Sequence, residues 1–365
     1  MCEITAVIRR PKKTKDPSHG IINKVDYSPR KPQDSRHKLS YLFESMKKVL
    51  VTGAAGFIGS HVAEVLLQRG DQVVGVDNVN DYYPVNFKRE NLEILKRYPG
   101  FSFVEGELTD KSLVDSLFEK ERFTHLAHLA ARAGVRPSIV DPGLYQRANI
   151  EATLNLLQGA VGKGLENLVV TSSSSVYGNS KAIPFREDDS ATDRPISPYA
   201  ATKKATEVLS YTYHSLYGLN INIVRPFTVY GARGRPDMAP WLFIEWALNG
   251  KKIRKFGDGT TRRDYTYIDD FVAGFVNAID RKFGYEIFNL GNSATVSLNE
   301  ALDIIRDVTG RELIIEQLPE QPGDVAITNA DISKSRRLLG YDPKTSFKDG
   351  MSKFCEWYRD TRLGR

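Results

Sequence analysis

A chain of 365 residues with 41% hydrophobic and 26% charged content can bury one large core or two joined ones. No stretch approaches the roughly 20 consecutive apolar residues of a membrane helix, so no membrane partner is expected. The net charge of +6 sits almost wholly in residues 1–45, where ten Lys/Arg stand against five Asp/Glu, and the two cysteines, Cys2 and Cys355, offer neither a disulfide framework nor metal-ligand spacing; no metal and a reducing, cytoplasmic setting are expected.

Residues 1–45 hold four prolines and a basic run from Arg9 to Lys15 and read as a disordered basic extension without the apolar run of a secretory signal. A solvated tail, not a nucleic-acid partner, is the expectation. From Lys47 short β-rich runs alternate with helix-length segments, the rhythm of a parallel sheet covered on both faces. Strands are expected at 48–52, 72–77, 101–104, 124–129, 167–172 and 221–225, and helices near 57–69, 111–119, 143–162 and 198–217. Val49, Leu50 and Val51 are apolar in succession, as in strands buried on both faces. The fold class is therefore α/β, a doubly wound Rossmann-type sheet spanning 46–225. Beyond Arg225 the pattern loosens into Pro/Gly-rich loops, with helical periodicity near 298–309 and 347–359. A smaller α/β lobe from 226–264 and 291–365 is expected, with return segments near 265–290 rejoining the first domain.

Gly53, Gly56 and Gly59, with Phe57 and Ile58 among them, follow the first strand and open the first helix. Such a turn lets backbone approach a pyrophosphate at a helix N-terminus. Asp77 ends the second strand where an acid accepts from ribose hydroxyls. Its charge repels a 2′-phosphate, and Asn78-Val79-Asn80 supplies no cation, so NAD is expected over NADP. Glu107 and Leu108 after the third strand, and Leu129, Ala130 and Ala131 after the fourth, fall at the carboxyl-end crevice where open sheets bind ligands. His128 reads as a packed strand residue. Lys203 follows Tyr199 by four residues and shares its helix face. With Ser197 as N-cap and Pro198 at the first helical position, Tyr199 enters the first turn, where the dipole and Lys203 are expected to favour the phenolate of a general base.

Glycine turn, acidic strand end, the serines 172–175 and Tyr199/Lys203, in this order, resemble the extended short-chain dehydrogenase/reductase family over residues 47–360. The resemblance implies a Ser173/Tyr199/Lys203 catalytic set, Lys203 also on the nicotinamide ribose, and Asn149 and Pro226 in the cofactor pocket. Glu107 stands where the family usually has Asp. It also implies that Arg263 binds phosphate and that Gln321 and Asp324 belong to a nucleotide-ribose loop, with Thr228 beside the substrate. Three segments, Asp77 to Tyr83, Ala133 to Arg136 and Gly234 to Ala239, resemble those of UDP-glucuronate 4-epimerases. A uronate carboxylate needs cations or donors, and Arg132, Arg136, Arg233 and Arg235 are candidates, Arg235 foremost. Arg132 replaces an expected glutamine. Ser174 and Ser175 stand where dehydratases and decarboxylases of the family place carboxylates. The expected activity is NAD-dependent 4-epimerisation of UDP-glucuronate to UDP-galacturonate through a 4-keto sugar. The alternatives are a UDP-glucose/galactose 4-epimerase, a UDP-glucuronate decarboxylase and a catalytically idle NAD-binding regulator. A homodimer is expected, with Leu154, Leu157, Leu209 and Leu216 as its apolar seam.

Overall fold

The first strand, β1 (Lys48–Thr52), is buried almost throughout and pairs in parallel with β2 (Gln72–Asp77) on one side and β4 (His125–His128) on the other. The computed structural model describes residues 46–320 and 325–363; the basic tail, Gln321 and Asp324 lie outside them. β3 (Phe101–Glu105), β5 (Asn167–Thr171) and β6 (Ile221–Pro226) extend the sheet. The connecting helices include Phe57–Gln68, Val85–Leu95, Lys111–Lys120 and Pro198–Tyr217.

β7 (Thr228–Tyr230), β8 (Ile253–Phe256) and β9 (Arg262–Tyr267) precede β10 (Tyr285–Leu290), which returns to pair with β6. The seven-stranded parallel sheet has the order β10-β6-β5-β4-β1-β2-β3. Its direction of winding reverses between β1 and β4, the place where a doubly wound sheet opens a crevice at its carboxyl ends. β11 (Thr295–Ser297) joins β9 and β7 in a small sheet, and β12 (Ile315–Leu318) pairs with β8. Ser297 and Glu300 form a reciprocal capping box that starts the helix Leu298–Thr309, satisfying N-terminal donors at both positions.

Each expected strand is present, with ends differing by one residue at most. Three features differ from expectation. The helix Val85–Leu95 is polar and lacks a side-chain cap, so no signal marked its start. The expected helix 143–162 is three pieces: Pro142–Tyr145, a π-helical turn Gln146–Glu151, and Ala152–Ala160. Such a turn inserts a residue and re-aims its neighbours; here it buries Asn149. Leu157, expected on an intersubunit seam, is only 1% exposed and packs under the sheet with Leu156 and Leu168. Leu209 is half-buried against that same cluster, while Leu216, Val208 and Tyr211 are exposed. Among the described residues no helix is long and apolar enough to cross a membrane.

Candidate active site

A cavity of ≈ 360 Å³ runs along the crevice, within the usual size range of ligand sites. Its floor is glycine: a Cβ on Gly59 would collide with the Gly53 carbonyl, and one on Gly53 would come 2.8 Å from the Ala130 backbone nitrogen. Those two close approaches let the helix Phe57–Gln68 abut the turn, so its free N–H groups face the cavity. Gly53 has a φ of 71°, a conformation costly for other residues.

The sequence-predicted residues Gly53, Gly56, Phe57, Ile58, Gly59, Asp77, Asn78, Glu107, Leu108, Leu129, Ala130, Ala131, Tyr199, Lys203, Pro226 and Arg235 all line this cavity. Asp77 is oriented by the backbone N–H groups of Ala55 (3.1 Å) and Val79 (2.8 Å). Burial pushes its carboxyl upward, opposed chiefly by Lys88. Lys88 answers the absence of a cation next to Asp77 in the sequence: its Nζ lies 3.8 Å from Asp77 and 3.0 Å from Asn80. Eleven residues and a helix turn separate the partners, so local sequence gave no sign of the pair. Asn78 donates to Glu107 at 2.6 Å, bringing both to one end of the cavity. Glycine floor, acidic strand end and small alanine wall suit a dinucleotide, and Asp77 together with Glu107 suits unphosphorylated ribose.

Ser197 caps the helix Pro198–Tyr217 by accepting from the Ala200 N–H, Pro198 occupies the first turn and Gly218 ends the helix. Tyr199 thus enters the crevice, where its hydroxyl shares a hydrogen bond with Ser173. Lys203 is buried and donates to the Thr171 carbonyl at 2.7 Å, at the carboxyl end of β5. Burial lowers Lys203 to about 8, with Glu207 opposing the shift. The expectation of a depressed phenol is corrected for the protein alone: burial raises Tyr199, against the Ser173 hydrogen bond and the Arg235 charge. His128 is a packed residue, held between the Thr52 hydroxyl (2.7 Å) and the Thr153 hydroxyl (3.0 Å), and burial lowers it to about 3.

Other predicted residues lie outside the cavity lining. Asn149 is 1% exposed and acts behind it: its Oδ1 accepts from the Arg132 N–H (2.7 Å) and its Nδ2 donates to the Thr202 hydroxyl (2.9 Å). Ser174 and Ser175 belong to a short 3₁₀ turn capped by Ser173. Thr228 is on β7, Arg136 is on an exposed face, and Arg263 donates to the Arg262 carbonyl at 2.9 Å. Arg233 turns away, pairing with Glu64 at 2.6 Å. Lys88, which no sequence motif marked, also lines the site, as do Tyr82 and Ser172, noted in the sequence only as parts of motifs. Ser172 donates to Glu207 at 2.6 Å, and Glu207 takes both arms of the fully buried Arg225 at 2.8 Å. Glu207 stands four residues after Lys203, so helical spacing alone could have placed it on the catalytic face.

Fold and cavity together suit a dinucleotide-dependent enzyme, and sequence comparison names the class: the chain belongs to the NAD dependent epimerase/dehydratase family, whose sequence model matches residues 49–291. It is 45% identical to a UDP-glucuronate 4-epimerase of Thermodesulfobacterium geofontis, an alignment covering 85% of this chain and 96% of that one. It is also similar to the Bacillus cereus UDP-glucuronic acid 4-epimerase solved with UDP-glucuronic acid and NAD (36% identity, 86% and 99% coverage, TM-score 0.81). A Thermotoga maritima UDP-glucose 4-epimerase solved with UDP-glucose follows at 32% identity, 86% and 99% coverage and a TM-score of 0.78.

Two outcomes are expected. Tyr199→Phe should retain NAD and fold while losing at least about 10²-fold in turnover, the contribution of general base catalysis; near-normal kcat would remove Tyr199 from that role. Because Lys203 gives up its proton near pH 8, kcat/KM should fall as pH rises through about 8, and Lys203→Met should flatten that limb of the profile.

Proposed function

We propose that this chain is an NAD-dependent UDP-glucuronate 4-epimerase, interconverting UDP-glucuronate and UDP-galacturonate. The observation carrying it is the meeting of Tyr82 and Arg235 beside Tyr199: Arg235 donates to the Tyr82 hydroxyl at 3.3 Å and its charge acts on the Tyr199 phenol. A donor-rich, cationic patch next to the base suits a sugar bearing a carboxylate at C5. The residues that would hold NAD are the glycine turn, Asp77, Asn78, Glu107, Leu108, the 129–131 segment, Asn149 through its neighbours, Lys203 and Pro226. Bound there, NAD supplies a reversible hydride acceptor for C4 and a positive nicotinamide charge that favours the phenolate.

Tyr199 takes the 4-hydroxyl proton, with Ser173 hydrogen-bonded to both oxygens during the transfer. The resulting 4-keto sugar turns about its bond to the diphosphate, so that the opposite face of C4 would meet the hydride held by the reduced cofactor, while Tyr199 returns the proton to O4. Ser174, Ser175 and Thr228 supply hydroxyl donors near the substrate, Arg136 adds a cation toward the uronate, and Arg263, Gln321 and Asp324 hold the UDP part from the lobe formed by 226–264 and 291–365. Epimerisation needs one proton acceptor; dehydration needs another acid. Asp77 and Glu107 are the only carboxylates of the cavity lining among the described residues, and both belong to the adenosine end. The enzyme works as a homodimer in the cytoplasm, its helices 142–160 and 198–217 pairing with their symmetry mates through Val208, Tyr211 and Leu216, which are 56%, 57% and 67% exposed.

Purified protein incubated with UDP-glucuronate, UDP-glucose and UDP-galactose, with products resolved chromatographically, tests the assignment. UDP-galacturonate from UDP-glucuronate supports it; a pentose, exchange of the neutral hexoses alone, or no turnover each selects one of the rival activities. Light scattering should give twice the 41.0 kDa chain mass; a monomer would remove the dimer. Arg235→Ala should let the 4-keto uronate, a β-keto acid, lose carbon dioxide, so UDP-4-keto-pentose and NADH absorbance accumulate. Equal loss of rate without pentose would make Arg235 a structural residue.

A further inference from the structure

Selecting a substrate by charge requires a cation that the protein has not already neutralised. Four cations line the cavity: Lys88, Arg132, Lys203 and Arg235. Lys88 lies beside Asp77 (3.8 Å), and Arg235 spends two N–H groups on Asp237 at 3.0 and 2.6 Å. Lys203 is buried against Thr171, with Glu207 as its counter-charge. Arg132 differs: its guanidinium faces the Tyr82 ring, and among the described residues it makes no ion pair with a carboxylate.

Arg132 is nevertheless held in place. Its backbone N–H donates to Asn149 at 2.7 Å and its carbonyl accepts from Asn149 at 3.0 Å. Asn149 is bonded to Thr202, whose hydroxyl donates to the Tyr199 carbonyl at 2.8 Å, so Arg132 is registered against the catalytic helix. Its guanidinium lies 4.3 Å from the centre of the Tyr82 ring, and that of Arg235 lies 5.0 Å from the same ring. Both charges act on the Tyr145 hydroxyl, and the Tyr145 ring is 6.1 Å from that of Tyr199. A guanidinium stacked on an aromatic face keeps its N–H edge for a planar anion. With Arg235 matched by Asp237, the charge of Arg132 is the one available to an anion beside the Tyr82 ring.

We propose that Arg132 is the specificity-determining cation of the sugar pocket, pairing with the C5 carboxylate of the substrate while the Arg235–Asp237 pair holds that carboxylate's orientation. This rests on the assignment of a UDP-hexuronate as substrate. The Arg235–Asp237 pair carries no net charge, so it distinguishes orientation better than it distinguishes an acid from an alcohol. Arg132 brings the charge.

The test uses NAD-loaded Tyr199→Phe protein, which holds substrate without turning it over, titrated calorimetrically with UDP-glucuronate and with UDP-glucose. A charge-assisted bond made to the carboxylate alone corresponds to about 10- to 100-fold in affinity. Adding Arg132→Gln should weaken UDP-glucuronate by about tenfold or more, leave UDP-glucose and NAD within about twofold, and Arg132→Lys should recover part of the loss. Equal weakening of both sugars, or loss of NAD, would assign Arg132 to a diphosphate and overturn the proposal, as would an unchanged UDP-glucuronate affinity. Whether the protein with Tyr199 intact interconverts UDP-glucuronate and UDP-galacturonate is measured separately, so failure of the activity and failure of Arg132 as its selector remain distinct results.

Discussion

A carboxylate and a guanidinium buried together beneath the helix that carries Tyr199 and Lys203 hold the cavity wall in register. Arg225 on β6 is fully buried, and Glu207 on the helix Pro198–Tyr217 meets it with two bonds of 2.8 Å. Taking either charge out of water alone costs several kcal/mol, and removing one partner of such a pair costs about 3–5 kcal/mol. The pair leaves the helix one way to sit on the sheet. Glu207 is one turn beyond Lys203 and two beyond Tyr199, so fixing its rotation fixes theirs. The same carboxylate receives Ser172 at 2.6 Å, and Arg225 reaches the Tyr177 hydroxyl at 2.9 Å. Strand end, serine turn and catalytic helix therefore share one polar knot.

The cofactor half is built on the opposite principle, on absent side chains rather than paired charges. Gly53 and Gly59 admit backbone where a Cβ would collide, so a phosphate-binding helix end is brought against the crevice without any charged residue on the glycine turn. Charge enters farther along, and most of it is matched: Lys88 with Asp77, Arg235 with Asp237, Arg225 with Glu207. Unpaired charge in a partly dry cavity is costly. A cation with no carboxylate partner among the described residues, as Arg132 is, is stabilised when an anionic ligand arrives.

The sheet was readable because strands buried on both faces are apolar in succession, and the glycine turn, Asp77, Tyr199 and Lys203 because each sits at a fixed offset from an element end. What the sequence concealed was the consequence of tertiary folding. β10 (Tyr285–Leu290) begins with Tyr285 and Glu286, half-buried at the sheet edge, and carries no clean strand pattern. The π-helical turn at 146–151 has no signature in composition, yet it sets where Asn149 points. Lys88 reaches back to Asp77 from the first turn of the helix Val85–Leu95, and Glu207 finds Arg225 across eighteen residues. The expected tyrosine–lysine partnership was drawn from helix spacing, whereas Lys203 spends its proton on the Thr171 carbonyl and the phenol is met by Ser173. Gln321, Asp324 and the tail lie outside the described residues.

The chemistry makes contradictory demands on the sugar pocket. Inverting C4 requires the ring to turn over in mid-reaction, which calls for room and loose contacts around the hexose. A 4-keto uronate, however, is a β-keto acid and loses carbon dioxide when its carboxylate aligns with the carbonyl π system, which calls for a tight hold on one group. A site can satisfy both if the hold is electrostatic and pivots with the sugar, because a carboxylate can exchange between guanidinium N–H groups as it turns. Under the proposed assignment, two arginines on one tyrosine, with Tyr82 itself anchored to the Ala133 carbonyl at 2.6 Å, would give such a hold beside Tyr199. Serines 174 and 175 add hydroxyls that can donate without acting as a further acid. The balance between a restrained carboxylate and a free ring is what separates an epimerase from a decarboxylase built on this same scaffold.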